Sequence, residues 1–424
     1  MRVLLVSANT ERINMPTMPV GLACVAEATR RAGHEVALVD LMAETDTEES
    51  IRRFTEALKP HMIGISVRNV DDQNMQDPRF LLDQVRDVVS SCKRFSSVPV
   101  VLGGAGYSMF PESALEYLSA DMGIRGEGEA CFPALLDYLE HRRPLSGLPG
   151  LYLRGHGLQG QRRFSKDLDG FHLPDMDLLS TAAYEGEDFW VPVQTRRGCP
   201  MRCSYCSTET IEGRLIRKRS PEDVVRWLAK CVEAGFRRFH FVDNTFNLPP
   251  SYARSLCTTL AEASLNIEWR CILYPGNVDE ALVKEMARAG CREASLGFES
   301  GCERILKGMN KRFNTESIRR ASRMLADYGI RRMGFLLLGG PGESENSVEE
   351  SLRFVDSLDL EATKITVGIR IYPHTKLAKI ASEEGVVEKE DDLFFPRFYM
   401  VRDLQDWLKK RVEDWMRDHP NWMM

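Results

Sequence analysis

The sequence predicts an α/β protein: a doubly wound parallel sheet, then a partial (β/α)6 barrel, then a small C-terminal helical tail. Three observations predict it. Short apolar runs alternate with amphipathic helical patterns from residue 1 to about 145. The alternation resumes from about residue 191 and runs for six units. The ends of the predicted strands are polar or carry glycine, and that is where both architectures bind their ligands. A length of 424 residues suits two or three domains. The expected division is a sheet domain over 1–145, a connector with a small hairpin over 146–190, a barrel over 191–384 and an extension over 385–424.

In the first domain, Val3-Leu4-Leu5-Val6, Val36-Ala37-Leu38-Val39, Met62-Ile63-Gly64-Ile65-Ser66, Val98-Pro99-Val100-Val101-Leu102 and Met122-Gly123-Ile124 read as strands. Helical patterns lie near 20–32, 48–58, 79–91, 111–118 and 129–141. Continuous apolar runs this short fit strands covered on both faces. Leu148 to Leu153, followed by Gly155, Gly157 and Gly160, signals the hairpin of the connector. The barrel strands fall near 192–196, 237–242, 267–273, 293–298, 333–338 and 364–369, with helices near 221–234, 250–263, 279–289, 315–328 and 345–357. Ser220-Pro221-Glu222 combines a hydroxyl cap, proline at the first helical position and an acid at the positive helix end. In the tail, an amphipathic helix from Leu404 to Met416 is expected to pack through Trp407, Trp415 and Met416. A tail placed there is also a possible substrate lid.

The composition excludes several classes. A formal charge of −6 leaves no basic stripe for nucleic acid, and no such partner is expected. Met1 to Val6 is too brief for a signal peptide or membrane span, so a cytoplasmic protein is expected. Eleven cysteines in this length are not a secreted disulfide framework, and Cys24, Cys231 and Cys257 lie on apolar helix faces.

Three other cysteines differ. Cys199, Cys203 and Cys206 stand within eight residues at Cys-x3-Cys-x2-Cys spacing, among Gly198, Pro200, Arg202 and Ser204. Three thiolates on one exposed loop can hold an iron–sulfur cluster and leave one iron open to a small molecule. The plainer readings are a zinc knuckle or buried thiols. Zinc needs a fourth nearby ligand, and no Cys or His lies between Cys206 and Cys231.

The loop, with Tyr205 before its third cysteine, resembles the signature of the radical S-adenosylmethionine (SAM) enzymes. The resemblance implies that the cysteines hold a 4Fe-4S cluster whose open iron binds SAM. It also implies SAM contacts at further strand ends: Tyr205 in the loop, Asp243 and Asn244 after the second barrel strand, Glu299 and Ser300 after the fourth, Gly339 after the fifth and Tyr372 after the sixth. Pro16 to Leu22, Gly33 to Val36 and Gly126 to Glu129 together resemble the cobalamin-binding domain that precedes the radical SAM core in one subfamily, a Rossmann-like fold. Implied cobalamin contacts are Ser7, Pro19, Gly21, Asp40, Ser66, Arg68, Asn69, Gly103, Gly104, Gly126, Glu127, Gly128 and Glu129. No Asp precedes any of the eight histidines by two residues, so the usual lower-face imidazole motif of cobalamin domains is missing. Arg68, with Asn69 beside it, is the candidate for that face; pairing of Arg68 with Asp71 or Asp72 is the alternative.

The resemblance implies a cobalamin-dependent radical SAM methyltransferase. One SAM methylates reduced cobalt, and another yields the 5′-deoxyadenosyl radical that takes hydrogen from an unactivated carbon, which then receives methyl from methylcobalamin. A small-molecule or peptide substrate and an external electron donor of flavodoxin or ferredoxin type are expected. Three alternatives stay open: a rearrangement, cyclisation or oxidation with cobalamin as electron carrier; a non-catalytic carrier or iron–sulfur sensor; and a tRNA methylthiolating enzyme. The last of these usually carries a second three-cysteine cluster, whereas Cys24, Cys92 and Cys131 are far apart here.

Overall fold

The computed structural model describes residues 1–12, 16–179, 184 and 189–424. They form two compact units: 1–72 with 79–191 and 210–213, and 73–78 with 192–209 and 214–424.

The first unit contains β1 (Arg2–Ser7), α1 (Val20–Arg31), β2 (Glu35–Asp40), α2 (Thr47–Leu58), β3 (Met62–Ser66), α3 (Leu82–Phe95), β4 (Val100–Gly103), α4 (Ala105–Met109), α5 (Pro111–Tyr117), β5 (Met122–Ile124), α6 (Gly128–Glu140), β6 (Leu151–Leu153) and β7 (Gly157–Leu158). Its sheet has the order β2-β1-β3-β4-β5-β6-β7. β1 to β5 pair in parallel, and the β6–β7 hairpin extends the sheet antiparallel from β5. The chain winds one way from β1 to β2 and the other from β3 onward. The carboxyl ends of β1 and β3 therefore flank a switch point, where such sheets leave a crevice. Val3, Leu4 and Val6 are fully buried. A methyl group on Gly64 would lie 2.6 Å from Leu5 Cδ2 of the neighbouring strand β1 and 3.3 Å from Phe132 Cζ of α6 in the helix layer.

The rest of the chain contributes β8 (Val191–Val193), β9 (Arg196–Arg197), α7 (Thr208–Glu212, whose residues from 210 onward group with the first unit), β10 (Arg217–Lys218), α8 (Pro221–Glu233), β11 (Arg238–Phe241), α9 (Pro250–Ala263), β12 (Glu268–Leu273), α10 (Glu280–Arg288), β13 (Cys291–Glu299), α11 (Glu303–Gly308), α12 (Thr315–Asp327), β14 (Arg331–Leu338), α13 (Glu345–Asp356), β15 (Ala362–Val367), β16 (Ile369–Arg370), α14 (Lys376–Glu383), β17 (Phe398–Tyr399), α15 (Gln405–Asp418) and β18 (Trp422–Met423). The sheet runs β18-β15-β14-β13-β12-β11-β8, and its ends are separate strands. Burial alternates along β11, β12 and β15, so one face meets the helices and the other stays half-exposed. Ser220 caps α8 by accepting from Asp223 N, with Pro221 at the first position, as its sequence suggests.

Four features differ from the sequence-based expectation. α3 starts at Leu82, because Asp72 and Arg79 bond each other's backbone and Asp71 bridges Phe80, which closes a loop where helix was expected. The short helices α4, α11 and α14 have too few turns to display a period. The tail adds β18 in parallel beside β15. On α15 the buried residues are Leu408 and Val412, whereas Trp407, Trp415 and Met416 are only half-buried; Trp415 stacks on His419 at 4.5 Å.

The turn after β14 carries a buried acid. Glu343 accepts from Gly339 N and, at 2.9 Å, from Gly340 N, so one carboxylate oxygen ties down two backbone donors. Its other oxygen is buried. Burial raises the Glu343 pKa to about 7, and the two backbone donors only partly oppose it. Between its ordinary value of 4.5 and about 7 the folded chain holds a proton that the unfolded chain has released. Stability from this group is thus full at acid pH and falls as pH rises through that window. Denaturation of Glu343→Gln between pH 5 and 8 should show a flatter stability profile than the parent, with the difference, on the order of 2–3 kcal/mol, largest at pH 8.

Candidate functional site

In the second unit the site starts from a buried carboxylate. Asp243, fully buried at the end of β11, accepts from Thr195 N at 2.8 Å, Thr195 Oγ1 at 2.6 Å and Arg196 N at 2.9 Å, and pairs with Arg196 Nε at 3.2 Å. Arg196 donates to Phe246 O and Leu248 O and lies over the Phe246 and Tyr252 rings. These bonds fix the strand that leads into the cysteine loop. The Asp243 carboxylate thus directs its acceptors at its own chain. Its neighbour Asn244 is half-exposed, with Oδ1 3.2 Å from Thr208 Oγ1, the hydroxyl that accepts from Cys206 Sγ at 3.2 Å.

The cysteine loop is held from a second side by the turn after α11. Ser204 N donates to Met309 O at 3.0 Å, and Asn310 Nδ2 donates to Met201 O at 3.1 Å and Arg202 O at 2.8 Å. Lys311 Nζ donates to Gly297 O at 3.0 Å and Tyr205 Oη at 3.1 Å and pairs with Glu299 Oε1 at 3.3 Å. Leu377 N, at the start of α14, donates to Ser204 O. Cys199 and Cys203 pack against Met201, Leu248 and Tyr274. The three thiols are partly exposed, while the eight other cysteines are buried. Among the described residues, no three His, Cys, Asp or Glu side chains converge on a single ion. Burial pushes the Cys203 thiol pKa up, and the Lys311 ammonium pulls against it. Burial lowers Lys311 as well, but Glu299 and Cys203 hold it above its ordinary value. No motif spacing in the sequence marks Lys311; only the fold brings it to the loop.

Glu299 is a non-glycine residue at φ 69°, after a register shift in β13, and its carboxylate reaches the Lys311 ammonium. Ser300 is fully buried, sharing a hydrogen bond with Ser351 Oγ and accepting from Cys302 N. Gly339 is likewise accounted for by the chain. Its φ is 94°, and a methyl group there would meet Met400 Sδ at 2.5 Å. Tyr372 is half-exposed, with Arg370 over its ring at 5.0 Å. On the half-exposed sheet face, Arg270 lies between His240 and Glu293 in register. Burial and Arg270 lower the His240 pKa to about 4, so its imidazole is neutral near pH 7.

In the first unit, the expected cobalamin contacts fall into two groups. Asp40 is buried, accepting from Tyr184 Oη and from Met42 N at 3.3 Å, and burial raises its pKa; Ser7 beside it is buried too. Glu129 is buried, and Glu127 Oε2 accepts from Ser165 N at 2.7 Å. Gly104, Gly126 and Gly128 are explained by packing, because a methyl group would lie 2.5 Å from Val67 O, 2.8 Å from Arg162 Cδ and 2.8 Å from Val25 Cγ2 respectively. Gly21 and Gly103 differ, since nothing lies within 4 Å of where their side chains would start. Around the switch point, Pro19, Ser66 and Asn69 are half-exposed and Arg68 is exposed. Asp72 is bonded by Arg79 rather than by Arg68.

Residues 6–136 match the family model of the B12 binding domain, and residues 193–355 match that of the Radical SAM superfamily. The chain is 29% identical over 393 residues to an uncharacterized methyltransferase of Pyrococcus horikoshii, covering 90% of this chain and 83% of that one. It is 23% identical over 443 residues to the tryptophan 2-C-methyltransferase of Streptomyces laurentii, covering 89% and 74%. The fold is shared with TsrM of Kitasatospora setae, a radical SAM methyltransferase solved with tryptophan and a SAM analogue. The TM-score is 0.87 at 22% identity, over 100% of this chain and 90% of that one. Among the described residues no helix is long and apolar enough to cross a membrane. The chain belongs to the cobalamin-dependent radical SAM enzymes, with an amino-terminal B12-binding domain, a radical SAM core, and a 4Fe-4S cluster, SAM and cobalamin as cofactors.

Proposed function

We propose that this enzyme transfers a methyl group from SAM to an unactivated carbon of a small molecule, with an electron-carrier protein as its reductant. The observation that carries the reading is the division of the thiols: three partly exposed on one pinned loop and eight buried elsewhere. Soft thiolates at that spacing fit an iron–sulfur cluster, and the open space at Gly21 and Gly103 fits a large flat ligand on the first unit. Cys199, Cys203 and Cys206 would hold the cluster. Asn244, Glu299 and Tyr372 are the expected SAM contacts that keep an accessible side chain. Pro19, Gly21, Ser66, Arg68, Asn69 and Gly103 would meet cobalamin. When bound, the cluster supplies the electron for SAM cleavage and cobalamin carries the methyl group. The chain's own residues orient these groups: Lys311 holds Tyr205 and Glu299 in place, and Asn310 fixes the loop backbone. Facing a bound cobalamin, the Arg68 guanidinium would supply positive charge and N–H donors but no lone pair for a metal.

Metal content, SAM turnover and the behaviour of single variants test this. Protein purified without oxygen and reconstituted with iron, sulfide and hydroxocobalamin should retain about four irons and one cobalt per chain. It should convert SAM to S-adenosylhomocysteine only when cobalt is present. Cobalt-independent cleavage to methionine and 5′-deoxyadenosine alone would instead indicate a non-methylating radical enzyme. Cys203→Ala should lose most of its iron, and Cys257→Ala should keep it. Replacing Lys311 with Met leaves the Glu299 carboxylate beside a buried phenol with no cation. Chemical denaturation should show a loss on the order of 3 kcal/mol, part of which the double variant with Glu299→Gln recovers.

A further inference from the structure

The chain is acidic overall, yet the segment around the cysteine loop is not. Residues 196–219 hold seven Arg or Lys against two Glu, in a protein of formal charge −6. Some of these cations are buried and structural, namely Arg196, Arg217 and Arg219. Others face solvent. The Arg202 and Arg214 side chains are 55% and 53% exposed, and Glu209 lies beside both, at 4.0 Å and 2.5 Å. One acid shared between two guanidinium groups leaves a net positive charge. Leu215, next in the chain, is 78% exposed, the highest value among the large hydrophobic side chains of the described residues.

The two segments that hydrogen-bond the cysteine loop add to this. Lys307 and Arg312 flank the Met309–Lys311 turn, and Lys376 precedes the Leu377 N–H that donates to Ser204 O. All three are exposed, and none makes an ion pair among the described residues. Five exposed cations and an exposed leucine thus stand on the elements that hold Cys203 and its neighbours. Ion pairing does not explain the positions of Lys307, Arg312 and Lys376, and Arg202 and Arg214 share a single acid, Glu209.

We propose that Arg202, Arg214, Lys307, Arg312 and Lys376, with Leu215, form the docking face for an acidic one-electron carrier protein. The inference rests on the reading that the loop holds an iron–sulfur centre. An acidic carrier approaching a chain of net negative charge meets repulsion everywhere except on a basic face, and such a face raises the rate of productive encounter. A basic rim with one apolar contact suits a transient complex, which must form and part once per electron. The transfer balances simply: the reduced carrier loses one electron and the oxidised cluster gains it, with no bond made or broken.

The test uses the reconstituted full-length protein, a reduced acidic flavodoxin, and reduced methyl viologen as a small cationic donor. In the triple variant Lys307→Glu, Arg312→Glu and Lys376→Glu, flavodoxin affinity at low salt and the rate of flavodoxin-driven bleaching of the cluster absorbance should each fall at least about tenfold. Bleaching by methyl viologen should not fall, and the salt dependence of flavodoxin binding should flatten. Unchanged flavodoxin affinity in a variant that retains its iron overturns the proposal. So does an equal loss in a control reversal of Lys230 and Lys284. Tighter binding of tRNA than of flavodoxin, removed by the same reversal, would assign the face to nucleic acid and overturn it too. Absence of any cluster absorbance in the parent would instead count against the iron–sulfur assignment on which the proposal rests.

Discussion

The second unit depends on one ion pair that water does not reach. Asp243 is fully buried and Arg196 nearly so, and the carboxylate takes two backbone donors and one hydroxyl besides the guanidinium. A buried charge pair adds little net stability, because desolvation offsets most of the attraction; removing one partner is what costs. Its value is therefore positional. The pair sets the path of Thr195 and Arg196, three residues before Cys199, and Arg196 reaches on to Phe246 O and Leu248 O. The loop inherits its starting point from a strand about fifty residues away in sequence, and its far end from the Met309–Lys311 turn.

That arrangement explains which parts of the site were legible in the sequence. The three cysteines were legible because their chemistry is local: spacing, flanking glycine and proline, and the lack of a fourth ligand all sit within one window. The strand alternation was legible for the same reason, one element at a time. Asp243 was not. An acid at a strand end can face a ligand or turn back to cap its own backbone, and the choice depends on where Thr195 N and Arg196 N lie. Ser300 turned to Ser351 in the same way. Lys311 had no local signature, since its three partners come from the cysteine loop and β13.

The glycines of the first unit show the same ambiguity. A glycine after a strand is equally consistent with a ligand pressing on the backbone and with the chain pressing on itself. Gly104, with φ at 98° and Val67 O behind it, is fully explained by the fold, and packing also accounts for Gly126 and Gly128. No such account exists for Gly103 or Gly21, where a side chain would meet nothing. An unfilled position at the carboxyl end of a strand, next to a switch point, is a stronger pointer to a flat ligand than any count of glycines.

Net charge misleads in a comparable way. A value of −6 describes the molecule at a distance, but a partner at contact range senses only the charges within about one Debye length, roughly 8 Å at physiological salt. On the elements that hold the cysteine loop, Arg202, Arg214, Lys307, Arg312 and Lys376 are exposed, and the last three make no ion pair among the described residues. The buried cations of the same segment anchor backbone and ring faces, as Arg196 does. Sorting cations by burial separates those that build the loop from those that face outward from it, and only the second group is available to a partner.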